Sequence, residues 1–488
     1  MNYCALDLGA ESGRVMLGRF NGTKLSVDEV HRFDSAPVLL PDGLHTDLLH
    51  IWTELKKGMG LASRAAAGDI SGLGVDTWGV DFALLDKQGR LLANPYHYRD
   101  GMTEGILGKA FSVMPRRELF EQTGLQFMPI NTLYQLYALL LRGFPLFDAA
   151  EKLLMTPDIF NYWLCGRAVN EFTIATTTQC FDPRKRDWAW PVIDKFGLPK
   201  RLFGDIVAPA TICGTLLPQV AAETGMVSAP VIAPGCHDTA LAVAAVPAQR
   251  PGFAYISCGT WSLLGTEILS PCINGKSLAA NFTNEGGVCG TFRFQKSLTG
   301  LWILQECRRQ WSRGRDDATY AALMAGVSAA PALRSLIDPA DPEFAKPGDM
   351  PTRIAAFCAK SGQPVPEGTG AIVRCVLESL ALSYRRTLDE MENILGRSLD
   401  PVYMVGGGTQ NRLLCQFAAD AMDRTVIAGP VEATAIGNAC MQAIALGHIG
   451  SLSDARMLVQ NSFETATYTA RNREHWREAY GKFRELGK

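Results

Sequence analysis

Two segments of the chain share one pattern, in which a buried strand runs into a small polar turn and a second strand follows. Mainly apolar residues occupy positions 3–8, where Asp7 stands near the end, and 15–20, and the turn between them contains Gly13 and Arg14. The segment 254–267 repeats the same order. Backbone N–H groups in such a turn can hold an anion, which indicates phosphate binding, although a plain β-hairpin fits the first segment equally well. The repetition predicts a duplicated architecture with a nucleotide between the halves.

Helix and strand patterns alternate along the rest of the chain, which is typical of an α/β protein. Residues 99–203 read as mainly helical, and the segment 188–191 looks like a surface element. Further strands are predicted at 24–33, 70–75, 229–233, 402–405 and 426–428, and further helices at 48–59, 240–246, 372–395, 435–446 and 471–488. Asp47 is expected to cap the first of these helices and Gly396 to end the longest one.

The length of 488 residues exceeds what one ordinary hydrophobic core accommodates, so at least two domains are expected. Pro247, Pro251 and Gly252 interrupt the pattern of helices and strands. They predict a junction near residue 248, with domains at 1–247 and 248–488.

The composition adds to this two-domain α/β interpretation by arguing against several classes of partner and site. A net charge of −2 on a chain with 20% charged residues argues against nucleic acid or an anionic membrane as the main partner. Neither a run of eighteen apolar residues nor a basic leader is visible, so a cytoplasmic protein is expected. The 13 cysteines contain no CxxC pair and read as mostly buried thiols, and the 7 histidines show no metal-ligand spacing.

Three consecutive glycines at 406–408 follow a predicted strand and precede a helix. Such a turn lets a phosphate or a flat ring approach the backbone, and Gln410 and Asn411 are placed to hydrogen-bond it or to cap the helix. A plain tight turn is the alternative. We favour a nucleotide contact, because three glycines cost entropy without adding packing.

Asp238 follows a strand and a Pro-Gly turn and stands at the start of a helix. The simplest interpretation is a helix-capping aspartate. A carboxylate at a domain junction, flanked by His237 and Thr239, is also where a base that accepts a proton from a substrate hydroxyl is needed. His237 either orders the hydroxyls of a sugar or is simply packed.

The segment 76–82 carries two carboxylates, a threonine and an aromatic ring. Trp78 either forms an apolar wall under a sugar or belongs to the core, and Gly79 allows a ligand close to the backbone. Neither a GxSxG elbow nor a P-loop is present, so a bound ATP requires another scaffold.

Ten motifs, taken together and in this order, resemble those of the FGGY carbohydrate kinases of the actin-like ATPase superfamily. They are DLGAESGR (7–14), DTWGVDF (76–82), YRD (98–100), NTLYQL (131–136), CHDTA (236–240), SCGTWSL (257–263), NEGG (284–287), GLW (300–302), GGGTQN (406–411) and GPVEATAIGN (429–438). The resemblance covers essentially the whole chain. It implies two ribonuclease-H-like domains of the actin, hexokinase and Hsp70 superfamily, with sugar deep in the cleft between them and ATP held mainly by the second domain.

The resemblance also implies a reaction, the ATP-dependent phosphorylation of L-rhamnulose at its 1-hydroxyl. Asp238 then corresponds to the general base, and Asp7 to a partner of Mg²⁺ through water. The positions that correspond to sugar contacts are Gly79, His237, Asp238, Thr239 and Ser297. The positions that correspond to ATP contacts are Ala10, Glu11, Ser12, Gly13, Arg14, Thr260, Gln305 and Gly407.

Two residues depart from the family pattern. Glu11 stands where a serine is more usual, which brings a carboxylate near the phosphates, and Ser297 stands where an asparagine is expected to help bind the sugar. A kinase for another ketose or polyol, such as L-fuculose, ribulose or xylulose, is therefore the alternative. A non-catalytic sugar sensor is a second alternative. Such a sensor is expected to carry a DNA-binding helix-turn-helix, for which the chain has no room before Tyr3. A monomer or small homo-oligomer is expected.

Overall fold

The computed structural model describes residues 1–312 and 320–486 and divides the chain into two compact units. The first unit consists of Met1–Gln249, Glu267–Phe294 and Glu432–Phe463, and the second of Arg250–Thr266, Gln295–Val431 and Glu464–Lys488. The predicted junction near residue 248 lies beside the first crossing between units. The two later returns of the chain to the first unit, at Glu267 and Glu432, have no local signal in the sequence.

The strands follow in chain order. They are β1 (Asn2–Leu8), β2 (Ser12–Phe20), β3 (Leu25–Asp34), β4 (Val38–Leu40), β5 (Gly43–His45), β6 (Gly72–Thr77), β7 (Phe82–Leu85), β8 (Lys152–Met155), β9 (Asn170–Glu171), β10 (Phe181–Asp182), β11 (Asp187–Trp188), β12 (Ile206–Val207), β13 (Thr211–Thr215), β14 (Pro230–Ala233), β15 (Ala254–Cys258), β16 (Trp261–Ile268), β17 (Thr283–Gly286), β18 (Phe292–Thr299), β19 (Val402–Val405), β20 (Val426–Ala428) and β21 (Ala466–Tyr468).

The α-helices are given in the same way. They are α1 (Leu48–Ala65), α2 (Ile106–Val113), α3 (Arg116–Thr123), α4 (Thr132–Leu141), α5 (Leu146–Ala149), α6 (Thr156–Cys165), α7 (Phe172–Ala175), α8 (Trp190–Lys195), α9 (Pro218–Thr224), α10 (Asp238–Ala244), α11 (Gly275–Ala279), α12 (Trp302–Trp311), α13 (Tyr320–Ala325), α14 (Met350–Lys360), α15 (Gly368–Leu395), α16 (Arg412–Met422), α17 (Ala433–Ala445), α18 (Leu452–Ser462) and α19 (Arg473–Phe483). Single 3₁₀ turns occupy Gly101–Thr103, Lys200–Leu202, Pro342–Phe344 and Gly407–Gln410.

The first unit is built on a six-stranded sheet with the order β13-β14-β6-β1-β2-β3. The strands β1, β2 and β3 form an antiparallel meander, as the sequence predicts. On its other side β1 pairs with β6 in parallel, and β6 pairs with β14 in parallel. These central strands are buried along almost their whole length, which explains why they read as continuous apolar runs.

The second unit repeats this arrangement. Its strands follow the order β18-β16-β15-β19-β20-β21. β15 pairs with β16 as an antiparallel hairpin and with β19 in parallel, just as β1 pairs with β2 and β6. The predicted duplication is therefore present in the pairing of the strands.

Helix boundaries agree with local capping signals. The side chain of Asp47 accepts a hydrogen bond from the N–H of His50 and starts α1, whose buried face includes Leu48 and Ile51. α15 ends at Gly396, which has a φ of 67° and so takes the left-handed conformation that glycine tolerates best.

One helix of the first unit comes from far along the chain. The side chain of Gln442 in α17 donates to the carbonyl of Cys4 at 3.1 Å, and Asn438 donates to the carbonyl of Gly74 at 3.1 Å. Gly437 faces α10, and a Cβ at this position would lie 2.0 Å from the carbonyl oxygen of Leu241. Because only glycine fits there, α17 approaches both the sheet and α10 closely.

One expectation about the surface needs correction. Trp188 is only 2% exposed and donates from Nε1 to the carbonyl of Gly204, so it belongs to the core instead of the surface. The terminal helix α19 buries Trp476 and Phe483 on one face and exposes its charged residues on the other. The predicted end of this helix at 487–488 lies outside the described residues.

The cysteines, all of which lie in the described residues, are free thiols, and Cys289 alone among them is exposed. This confirms the prediction of mostly buried thiols. Within the described ranges, no helix combines the length and the apolar character that crossing a bilayer requires.

Candidate active site

Two acidic residues lie side by side at the carboxyl ends of neighbouring strands. β1 and β6 run parallel with Asp7 opposite Asp76, and Thr77 at the next position bridges to His237. The backbone N–H of Thr77 donates to the carbonyl of Cys236 at 2.9 Å. In open α/β sheets ligands bind at the carboxyl ends of the strands. This register brings three predicted functional segments to one such edge.

The carboxylates of Asp7, Asp76 and Asp238 are close enough to affect one another. Burial raises the pKa of Asp7, Arg14 opposes this shift, and the charge of Asp238 adds to it. The pKa of Asp76 lies well above its usual range because the side chain is fully buried and next to Asp7. One Asp76 oxygen accepts from Asn438 at 2.6 Å, whereas the other has no hydrogen-bond partner among the described residues. Three carboxyl groups, which repel one another when they carry charge, are therefore concentrated at this edge.

Arg14 partly neutralises this charge. It lies opposite Asp7 in the hairpin of β1 and β2, and its Nη2 donates to Asp7 Oδ2 at 2.5 Å while its Nη1 donates to Glu432. Burial opposes the charge of Arg14, but both carboxylates outweigh it and raise its pKa. A phosphate is a strong ligand for a guanidinium, so it would compete with these two carboxylates.

Glu432 is a residue that sequence reasoning missed. It stands just before α17 in the motif at 429–438, and 418 residues separate it from Arg14. The motif was the only available signal, since no local pattern connects the two positions.

The loop between β1 and β2, which contains Ala10, Glu11, Ser12 and Gly13, has a defined conformation. The N–H of Gly9 donates to the carbonyl of Ser12 at 3.0 Å. The unusual Glu11 is half exposed, and its carboxylate accepts from Arg99 at 2.7 Å. The additional carboxylate of this chain is thus neutralised by a cation from the YRD motif.

The segment that contains Gly79 is held in place by hydrogen bonds of its neighbours Trp78 and Val80. Trp78 is 7% exposed and donates from Nε1 to Asp81 at 2.9 Å, so it packs in the core and does not form an open wall. The N–H of Val80 donates to the hydroxyl of Thr177 at 3.1 Å. Burial raises the pKa of Asp81 to about 7.

Asp238 is the first residue of α10, and the capping position before it belongs to His237. Asp238 Oδ1 accepts from the N–H of Thr239 at 2.5 Å and from its hydroxyl at 3.0 Å. About a third of the Asp238 side chain, 32%, stays exposed, while the side chain of His237 is 9% exposed. The carboxylate therefore remains accessible to a ligand, which a purely capping role does not require.

A second missed residue, Glu171, holds the backbone in front of Asp238. Its carboxylate is fully buried and accepts from the N–H of Cys236 at 2.9 Å. The hydroxyl of Thr173 accepts from the N–H of His237 at 3.0 Å. Both contacts fix the last residues before α10. Burial raises the pKa of Glu171, and the four hydrogen bonds that it accepts oppose that shift.

In the second unit, Thr260, Gln305 and Gly407 lie on three segments that meet around the hairpin of β15 and β16. The N–H groups of Gly300 and Trp302 both donate to the carbonyl of Thr260 at 3.1 Å, which places the start of α12, and with it the exposed Gln305, at the hairpin turn. Gly407 is exposed in the turn that follows β19.

That turn lies against the end of β15. A Cβ on Gly408 would lie 2.2 Å from Cys258 Sγ, which explains a glycine here by close packing. Asn411 caps α16 by accepting from the N–H of Leu414 at 3.0 Å. Ser297, in β18 of the same unit, is half-buried.

Comparison with known proteins follows the same division of the chain. The family model for the N-terminal domain of the FGGY carbohydrate kinases matches residues 2–245, and the model for their C-terminal domain matches 254–446. A rhamnulokinase from Bacteroides thetaiotaomicron is 41% identical over 483 residues and aligns over 99% of both chains. A rhamnulokinase from Oceanobacillus iheyensis is 40% identical, with 96% of this chain and 98% of that protein aligned.

Solved structures share the fold at low identity. A xylulose kinase from Lactobacillus acidophilus has a TM-score of 0.81 at 16% identity and covers 99% of this chain and 97% of its own. A glycerol kinase from Plasmodium falciparum, solved with ADP, has a TM-score of 0.79 at 15% identity with the same coverage. The predicted two-domain α/β fold is thereby confirmed. The chain belongs to the FGGY family of carbohydrate kinases.

Proposed function

We propose that this chain transfers the terminal phosphoryl group of ATP to the 1-hydroxyl of L-rhamnulose, giving L-rhamnulose 1-phosphate. Support comes from the rhamnulokinases that align over nearly the whole chain. The observation that carries the chemistry is the Asp238 carboxylate, which is 32% exposed and lies near Asp7. A sugar kinase needs one accessible base beside its phosphate site.

In this proposal Asp238 is the general base. Phosphoryl transfer passes through a loose transition state, so the base accepts the proton of the sugar hydroxyl late and contributes mainly by position. The carboxylate is held in place because Asp238 begins α10 and because the N–H and the hydroxyl of Thr239 both donate to its Oδ1. Gly79, His237, Thr239 and Ser297 are the proposed sugar contacts.

Arg14 and the turn at 10–13 are the proposed phosphate site of the first unit, and Thr260, Gln305 and Gly407 are the proposed ATP contacts of the second. The guanidinium of Arg14 already forms ion pairs with the carboxylates of Asp7 and Glu432, so a phosphate that binds it replaces one of these two anionic partners. This exchange keeps the guanidinium paired before and after ATP binds. The assignment of sugar to 1–247 and ATP to 248–488 belongs to the same proposal.

The residues at this edge also fit a magnesium ion held through water. No three His, Cys, Asp or Glu side chains in the described ranges are grouped to hold a metal directly. Mg²⁺ keeps several waters and typically takes one or two carboxylates plus the phosphates of its nucleotide. Asp7, with Asp238 beside it, would hold the ion in this way, and the ion would neutralise phosphate charge.

The expected surroundings of the enzyme follow from its substrates. ATP and a small ketose are the proposed partners, without nucleic acid or membrane, and a chain of free thiols supports a cytoplasmic location. A monomer or small homo-oligomer remains the expectation.

An ADP-release assay with Mg·ATP tests the function. The panel consists of L-rhamnulose, L-fuculose, L-ribulose, L-xylulose, D-xylulose, D-ribulose and glycerol. We expect the highest kcat/KM for L-rhamnulose. A clear preference for another sugar would overturn the assignment of L-rhamnulose as substrate and would point to Ser297 as the residue that changes the sugar preference. No turnover with any sugar would favour a non-catalytic sugar sensor.

A further inference from the structure

We propose that Arg293 is a positioning residue, which fixes the ring proton of His237 on Nε2 and thereby orients the carboxylate of Asp238. This inference rests on the proposed function, because it concerns the proposed base. Arg293 lies in none of the ten sequence motifs, and it is one of the largest fully buried side chains of the described residues.

The guanidinium of Arg293 is held at three points within the first unit. Nε donates to the carbonyl of Gly286 at 2.9 Å, Nη2 lies 3.1 Å from Glu285 Oε2, and Nη2 lies 2.8 Å from His237 Nδ1. The side chain of Arg293 is 0% exposed and that of Glu285 is 13% exposed. A buried guanidinium whose charge is balanced by a carboxylate has little freedom to move.

The contact with His237 determines where the ring carries its proton. An arginine side chain has only donors, so Nδ1 of His237 must be the acceptor in this hydrogen bond. The neutral ring then carries its proton on Nε2. Nε2 lies 3.3 Å from Asp238 Oδ1, so a proton on Nε2 attracts the carboxylate of the proposed base.

The other tautomer would have the opposite effect. A lone pair on Nε2 facing Asp238 would repel the carboxylate and would offer a sugar hydroxyl an acceptor in place of a donor. The backbone of His237 is already fixed by the hydroxyl of Thr173. Two groups face Nδ1 of the ring: Glu285 Oε2 at 3.4 Å, which would accept a proton from it, and the donor Nη2 of Arg293 at 2.8 Å. The shorter contact is that of Arg293, so we infer that Arg293 decides the position of the ring proton.

The first test reads the tautomer without any substrate. Long-range ¹H–¹⁵N spectra of histidine-labelled, ligand-free protein distinguish the two ring nitrogens, and the variant His237→Gln identifies the signals of this residue. We expect the Nε2–H form in the wild-type protein and a shift toward the Nδ1–H form in Arg293→Met, because Glu285 Oε2, 3.4 Å from Nδ1, is then the group that faces this nitrogen. Since Arg293→Met removes the cation beside the carboxylate of Glu285 and so destabilises the fold, the double variant Arg293→Met/Glu285→Gln removes both charges together and provides a second test.

The second test measures catalysis. We expect Arg293→Met/Glu285→Gln to lower kcat at least ~10-fold with an unchanged KM for ATP, because a misplaced reacting group costs rate more than binding. Arg374→Met is the matched control, since Arg374 likewise joins one carboxylate, Glu378, to backbone carbonyls, but lies in α15 of the other unit. The control is expected to lose stability and keep its kcat.

Three results would overturn the proposal. They are an Nδ1–H tautomer in the wild-type protein, an unchanged tautomer in both Arg293 variants, and a loss of kcat no larger than in Arg374→Met. The spectra do not depend on the reaction. If Asp238 proved not to be the base, the proposed function would fail while the tautomer result would still stand or fall on its own.

Discussion

The carboxylate oxygen Oε2 of Glu171 accepts the backbone N–H of Cys236 at 2.9 Å, across 65 residues of sequence. The same oxygen accepts from the N–H of Thr173 at 2.9 Å, from its hydroxyl at 2.6 Å and from the N–H of Ile174 at 3.2 Å. Four donors on one oxygen tie the start of α7 to the segment that ends at Asp238. The position of the proposed base thus depends on a residue that does not touch it.

This contact predicts a contrast between two variants of Glu171. Glu171→Gln presents one oxygen to all four donors and is expected to fold and to keep most of its kcat. Glu171→Ala leaves the donors buried without an acceptor and is expected to lose about 1–3 kcal/mol in the free energy of unfolding, with a lower kcat. Urea denaturation and steady-state kinetics measure both. Equal behaviour of the two variants would contradict the role of this oxygen.

Replacement of the proposed base has a larger effect on rate than on structure. Asp238→Asn keeps the size of the side chain and an oxygen for Thr239, but it cannot accept the proton of the sugar hydroxyl. We expect kcat to fall at least ~100-fold with an unchanged circular dichroism spectrum. Near-normal turnover in a folded variant would remove Asp238 from the mechanism.

Removal of Glu432 tests whether carboxylates compete with phosphate for Arg14. In Glu432→Gln the guanidinium keeps Asp7 but loses its second charged partner, so the phosphates of ATP meet less competition. We expect the Kd for ATP to fall about two- to fivefold, since a partly exposed ion pair contributes about 0.2–1 kcal/mol. Calorimetric titration measures this Kd, and weaker binding would show that Glu432 instead holds Arg14 in place for the nucleotide.

Asp81 predicts a pH dependence of stability. Burial raises its pKa from 3.8 to about 7, so the folded protein keeps a proton that the unfolded chain has already released. The free energy of unfolding therefore falls as the pH rises from about 4 to about 7 and then levels off, at up to roughly 1.4 kcal/mol per pH unit from this group. Asp81→Asn is expected to give a shallower curve in urea denaturation across this range. An identical slope in both proteins would contradict the assignment.

Much of the fold is readable from the sequence because its signals are local. The strands at the start of each unit are apolar runs beside turns, and Asp47 and Gly396 mark helix ends by chemistry that acts within one helical turn. Trp188 shows the limit of such local reasoning. Its partner, the carbonyl of Gly204, is 16 residues away, and nothing beside it indicates that the ring is covered.

The residues of the candidate site likewise include some that local motifs in the sequence reveal and others that only the fold reveals. Asp7, Arg14 and Asp238 lie in short motifs with glycine and hydroxyl residues, so they stand out in the sequence. Glu171 and Arg293 act on the segment before α10 from 65 and 56 residues away, respectively. An isolated Glu or Arg in a sequence is usually a surface residue, and only the folded chain shows that these two are buried.

The docking of α17 on the first sheet has a consequence for synthesis. Asn438 and Gln442 contact β6 and β1, yet they are synthesised 364 and 438 residues after the strand residues that they contact. The first unit therefore cannot complete its core until α17 has been made. Until then α1 and α6 can pack on its sheet, but the contacts of α17 are missing, so this kinase depends on late, long-range docking where most domains finish folding in order of synthesis.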